Sequence, residues 1–121
     1  MGRSDKLRDD QPAVKLGLIG AGLIGKKHAV MSENFVDCRL VGISDVNPSA
    51  KALADELGVN YYADYEEMIA AETPEGIIIA TPTESHTPVG VTCAQHGVHL
   101  FVEKPIAANV RDAQILVESA W

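Results

Sequence analysis

The stretch Val14-Lys15-Leu16-Gly17-Leu18-Ile19-Gly20-Ala21-Gly22-Leu23-Ile24-Gly25 decides the fold. Six residues, apolar but for Lys15, run into Gly20, and a helix is expected from about Gly22 to Asn34. Glycines spaced G-x-G-x-x-G are weak evidence alone, but between a strand and a helix they have a physical meaning. Gly20 permits the tight turn, Gly22 leaves its backbone open to a pyrophosphate, and Gly25 lets the helix lie against the sheet. The helix start, with Leu23 and Ile24 inside the turn, offers free N–H groups and a positive dipole end to an anion. The alternative is that the glycines only shape close strand–helix packing.

Outward from this turn, short apolar runs alternate with helix-like segments, the mark of consecutive βαβ units. Strands are expected at Arg39–Ser44, Tyr61–Tyr62, Gly76–Ala80 and Val98–Val102. Helices are expected between Asn47-Pro48 and Gly58, over Tyr65–Ala71, over Ser85–His96, and from Val110 onward. Right-handed crossovers then give an α/β fold, a doubly wound parallel sheet of order 3-2-1-4-5. Such sheets usually carry a sixth strand, and none is visible here. The sequence is therefore expected to be a fragment of a longer chain, with the bare fifth-strand edge favouring self-association into a homo-oligomer. Residues 1–13 are polar and aperiodic and read as a flexible N-terminal tail, leaving 14–121 as one dinucleotide-binding Rossmann domain.

Composition agrees. The chain has 121 residues, 46% hydrophobic and 5% aromatic, the make-up of an aliphatic sheet covered by helices. A formal net charge of −7 and the lack of a basic stripe argue against nucleic acid as a partner. No run approaches the roughly 18 apolar residues of a membrane span. No signal-peptide core is visible, and Lys6 breaks a Met1-Gly2 myristoylation pattern, so no membrane partner is expected and the expected address is cytoplasmic. Cys38 and Cys93 form no CxxC pair and read as reduced, packed thiols. His96 and His99 flank Gly97 at the far end of the sheet with no carboxylate or cysteine cluster, so no metal is expected. His28, one turn into the first helix, reads as structural.

Asp45 stands at the end of the second strand, 20 residues after Gly25. A carboxylate there can accept from both hydroxyls of an adenine ribose and would repel a 2′-phosphate. Val46 and Asn47 offer no arginine to hold such a phosphate, so NAD is the expected cofactor, with NADP disfavoured. The competing reading is a turn or cap before Pro48.

Three later stretches complete a pattern. Thr81-Pro82-Thr83 follows the fourth strand, His86 lies in the next helix, and Glu103-Lys104-Pro105 follows the fifth strand. With the glycine turn and Asp45, this resembles the Gfo/Idh/MocA family of dehydrogenases. The resemblance covers nearly everything from Val14 onward, and Glu-Lys-Pro is its most specific element. It implies that Thr81, Pro82 and Thr83 lie along the dinucleotide near the nicotinamide ribose, and that Glu103 hydrogen-bonds that ribose. It further implies that Lys104 reaches the reacting carbon–oxygen group as the catalytic residue, often from a cis Lys-Pro peptide. A cation there would stabilise a developing alkoxide. His86 could contact cofactor or substrate, although capping or packing explains it equally. The bland alternatives are a solvated lysine at Lys104 and an ion-pairing or capping role at Glu103.

Members of that family continue into a second domain that supplies most of the substrate pocket and a further catalytic residue, and nothing here corresponds to it. The expected function is the NAD(P)-binding domain of an oxidoreductase moving hydride between cofactor and a secondary hydroxyl or ketone of a sugar, cyclitol or similar polyol. The chain alone is expected to be inactive. A non-catalytic NAD sensor is the alternative, and a site for S-adenosylmethionine fits the motifs less well.

Overall fold

A computed structural model describes residues 13–120; the expected tail at 1–13, all but its last residue, lies outside the described residues. Five parallel strands form one sheet in the order β3-β2-β1-β4-β5. They are β1 (Val14–Ile19), β2 (Cys38–Ser44), β3 (Asn60–Tyr62), β4 (Gly76–Ile79) and β5 (His99–Val102). The helices are α1 (Leu23–Ser32), α2 (Ala50–Leu57), α3 (Tyr65–Glu72), α4 (His86–Gln95) and α5 (Val110–Ala120), with a 3-10 turn at Thr83–Ser85 before α4. This is the doubly wound arrangement expected from the sequence. Strand ends fall within a residue or two of the apolar runs, the usual scatter of such boundaries.

The central strands are buried on both faces, which is why Gly76–Ile79 reads as an unbroken apolar run. On one face, Ala29 of α1 and Leu53 and Ala54 of α2 pack on Leu18, Leu40, Ile43 and Ile78. On the other, Met68 and Ile69 of α3 and Val89 and Cys93 of α4 pack on Ile19, Ile77 and Ile79. Each fully buried aliphatic side chain contributes about 1.5–3 kcal/mol to this core. Met68 lies so close to the sheet that a Cβ at Gly17 would meet its methyl carbon at 2.9 Å. The expectation of a missing sixth strand corresponds to an edge at β5, which among the described residues pairs only with β4.

The ladder also shapes the rim where the strands end. Gly20 N–H donates to Ser44 O at 2.8 Å, Ala80 N–H to Ile19 O at 2.8 Å, and Glu103 N–H to Ile79 O at 3.0 Å. The turns after β1, β2, β4 and β5 are therefore fixed side by side. Their order places a crevice between the ends of β1 and β4, where the winding of the sheet reverses.

Candidate functional site

The glycine turn is built by contact. Gly20 has φ +95°, and a Cβ on it would sit 2.7 Å from the carbonyl of Ala80, so the end of β1 presses on the end of β4. A Cβ on Gly25 would overlap the carbonyl oxygen of Gly20, which fixes α1 against the turn. Gly22 differs from both, because a Cβ there would meet nothing within 4 Å. It caps α1 with no side-chain hydrogen bond, and no acidic residue stands in the first turn of the helix. The first N–H groups of α1 have no intrahelical acceptors and lie next to that open face.

Asp45 ties this turn to the end of β2. Its Oδ2 accepts from Ala21 N–H at 2.7 Å and its Oδ1 from Asn47 N–H at 2.8 Å. Tyr61 holds the same residue from below, its hydroxyl donating to Asp45 O at 2.7 Å. Each carboxylate oxygen keeps a further lone pair, so these two bonds do not exhaust its capacity to accept.

One cavity of about 720 Å³ runs across this rim. Of the residues expected at the site, Gly20, Gly22, Leu23, Ile24, Asp45, Thr81 and Pro82 line it. Gly25, Thr83, and Glu103 and Lys104 after β5 are not among the residues that line it. Tyr65, Ala63 and Val46 also line it, although nothing in the sequence singled them out as wall residues. The signal for Val46 was its place beside Asp45; it is 90% exposed at the rim.

Of the two readings open for His86, its place agrees with packing. It is buried, with Nε2 at 2.9 Å from Thr81 O and Nδ1 at 3.0 and 3.2 Å from Pro105 O and Ile106 O. It packs between the Thr81-Pro82 turn and the turn after β5 and does not line the cavity; an imidazole with one N–H donates to Thr81 O or to the Pro105 and Ile106 carbonyls, according to its tautomer. The Lys104–Pro105 peptide is cis, and the Lys104 side chain is exposed. Glu103 contacts His28 Nε2 through Oε2, and this hydrogen bond is the main reason its carboxyl lies below the usual carboxylate range. His28, read from the sequence as structural, thus belongs to the neighbourhood of the Glu-Lys-Pro turn; no spacing rule could have linked two residues 75 positions apart.

Among the described residues, no three His, Cys, Asp or Glu side chains gather as a metal site would require. Nor, among those residues, is any helix long and apolar enough to cross a membrane.

A glycine turn open at Gly22, a carboxylate at the end of β2 and a crevice at the switch point define a dinucleotide-binding Rossmann domain. Residues 14–121 match the model of the Gfo/Idh/MocA oxidoreductase family, NAD-binding Rossmann fold, and the chain belongs to that family. It is 31% identical over 107 residues to a myo-inositol 2-dehydrogenase of Thermotoga maritima, covering 87% of this chain and 32% of the relative. It is also 31% identical over 107 residues to a glucose-6-phosphate 3-dehydrogenase of Bacillus subtilis, covering 88% and 30%. The WlbA dehydrogenase of Bordetella pertussis, solved in complex with NADH and UDP-GlcNAcA, superposes with a TM-score of 0.86 at 29% identity, covering 91% of this chain and 34% of that one. The chain spans about a third of the length of the curated relatives it matches.

Proposed function

We propose that this chain is the cofactor domain of an oxidoreductase that uses NAD to oxidise a secondary hydroxyl, or reduce the ketone, of a sugar, cyclitol or similar polyol. The observation that carries the cofactor reading is the pairing of Gly22's open face with Asp45 on the wall of one cavity. A methyl group at residue 22 would occupy space that no protein atom uses, which is what a phosphate approaching the α1 N-terminus needs. The substrate class is supported by the names of the relatives, an inositol and a hexose-phosphate dehydrogenase among them.

In this reading the bound nicotinamide accepts or donates hydride, and the residues of this chain bind and orient. The N–H groups of Gly22, Leu23 and Ile24 take the pyrophosphate, and Asp45 accepts from the adenine ribose while disfavouring a 2′-phosphate by charge. Thr81 and Pro82 form the wall towards the nicotinamide half, and Glu103 accepts from its ribose. Lys104 places an ammonium beside the substrate oxygen, where it stabilises negative charge as the proton departs. The base that receives that proton lies outside this set, so the chain by itself binds cofactor and does not turn over.

Calorimetric titration of the chain with NAD and NADP tests the reading. NAD is expected to bind more tightly than NADP. Asp45→Ala should weaken NAD by about 10- to 100-fold, the loss of hydrogen bonds to a charged acceptor, and Lys104→Ala should leave it nearly unchanged. Equal affinity for both nucleotides, unmoved by Asp45→Ala, would refute it.

A further inference from the structure

The α1 helix carries the phosphate turn at one end and, one turn further on, His28. The ring of His28 stands edge-on to Phe101 of β5, with centroids 5.3 Å apart and planes at 65°. Its Nε2 meets Glu103 Oε2, and both side chains are largely shielded, 22% and 27% exposed. A carboxylate only accepts, so Nε2 carries the hydrogen and donates. Neither partner can drift. Gly25 locks α1 against Gly20, Ala29 beside His28 is buried at 1% exposure, and the Glu103 backbone is tied to Ile79. The contact is thus a side-chain strut from the helix of the phosphate turn to the turn that bears Lys104.

We propose that His28 is a positioning residue of the cofactor site: it fixes Oε2 of Glu103 so that Oε1 is held ready to accept from the nicotinamide-side ribose. The proposal rests on the reading of Glu103 given above. Without the strut, Glu103 would swing among its rotamers at the end of β5, and the ribose would have to order it on binding. His28 then acts on the nicotinamide half of the ligand only, through Glu103, even though it belongs to the helix that receives the pyrophosphate.

The test uses His28→Leu, which removes the donor, and His28→Gln, whose Nε2 can still reach Glu103. Both are titrated with NAD and with ADP, which carries adenosine and pyrophosphate but no second ribose. His28→Leu should weaken NAD about tenfold and ADP less than about twofold, and His28→Gln should restore most of the loss. In a Glu103→Ala background, His28→Leu should add nothing, the signature of residues acting through one another. Carbon-13 spectra of the Glu103 carboxyl should show it titrating at higher pH in His28→Leu than in the parent. If the leucine variant does not fold, His28→Asn, whose amide stops short of Glu103, takes its place.

Additive losses, equal weakening of NAD and ADP, or an unmoved Glu103 titration would overturn the positioning role while leaving the cofactor reading intact. Failure of the parent chain to bind NAD at all would overturn both.

Discussion

Two alanine substitutions three residues apart should have opposite consequences. At Gly25, the added Cβ overlaps the Gly20 carbonyl oxygen and lies 2.9 Å from its carbon. Both atoms are backbone, so no flexible side chain can yield. Relief requires α1 to retreat by on the order of 1 Å, which lifts Ala29 from its contact with the sheet; overpacking of this kind costs about 3 kcal/mol. At Gly22, the Cβ meets nothing within 4 Å and φ is −72°, a value alanine adopts without strain. The entropy gained by removing a glycine, about 0.4–1 kcal/mol, offsets a similar loss of N-cap preference. Stability should therefore change by less than about 0.5 kcal/mol. Binding should not be spared, because the methyl occupies the approach to the helix N–H groups. Losing one charge-assisted hydrogen bond, about 1.5–3 kcal/mol, weakens NAD by roughly 10- to 150-fold. Urea unfolding and calorimetric titration of both variants read the two effects separately. With a slope of about 1–3 kcal/mol per molar urea, the Gly25→Ala midpoint should fall by roughly 1–3 M. A Gly22→Ala protein that binds NAD like its parent, or a Gly25→Ala protein that unfolds at the parent's midpoint, would refute this division of labour.

Two further outcomes follow from buried groups. His86→Leu removes the single ring N–H that serves either the Thr81 carbonyl or the Pro105 and Ile106 pair, and an unsatisfied buried acceptor costs about 1–3 kcal/mol, so a loss of about 1–3 kcal/mol in urea unfolding is expected; a loss under about 0.5 kcal/mol would mean that the carbonyls find other donors. Burial pushes the Cys93 thiol from 9.0 up to about 12, so it should resist thiol reagents at pH 8 until the chain unfolds. Because the folded form holds that proton more tightly, its stabilising effect is whole below pH 9 and declines as pH rises towards 12, by at most about 1.4 kcal/mol per pH unit. Unfolding free energies at pH 8 and pH 10.5 that differ equally in the parent and in Cys93→Ala would remove that assignment.

The fold was legible because its signals are local. The strand running into Gly20, the apolar run Gly76–Ile79 and the glycines ending helices depend on period and on backbone freedom, which neighbours in sequence reveal. The residues proposed for the adenosine half, the glycine turn and Asp45, stand in one βαβ unit and are visible from local sequence. Glu103 and Lys104 were noticed through resemblance, as no periodicity marks a charged pair after a strand. Tyr65, Val46 and the His28–Glu103 contact needed the sheet itself, since each depends on which helix crosses which strand. His86 illustrates the limit of side-chain chemistry as a guide: an imidazole beside a suspected site is also a good partner for backbone carbonyls, and only burial tells which it serves.

Asp45 accepts from Ala21 N–H with the same carboxylate that would read the ribose, and this constrains any change of nucleotide. A cofactor bearing a 2′-phosphate calls for a small neutral residue at that position and a cation nearby. Removing the carboxylate also unlatches the glycine turn from the end of β2, loosening the phosphate cradle that both nucleotides share. Converting this domain to NADP therefore calls for at least three coordinated changes: the loss of Asp45, a new acceptor for Ala21, and an arginine in place of Val46 or Asn47. In the function proposed above, selectivity and architecture rest on one side chain, so a drift in preference by single steps would pass through forms that grip neither nucleotide well.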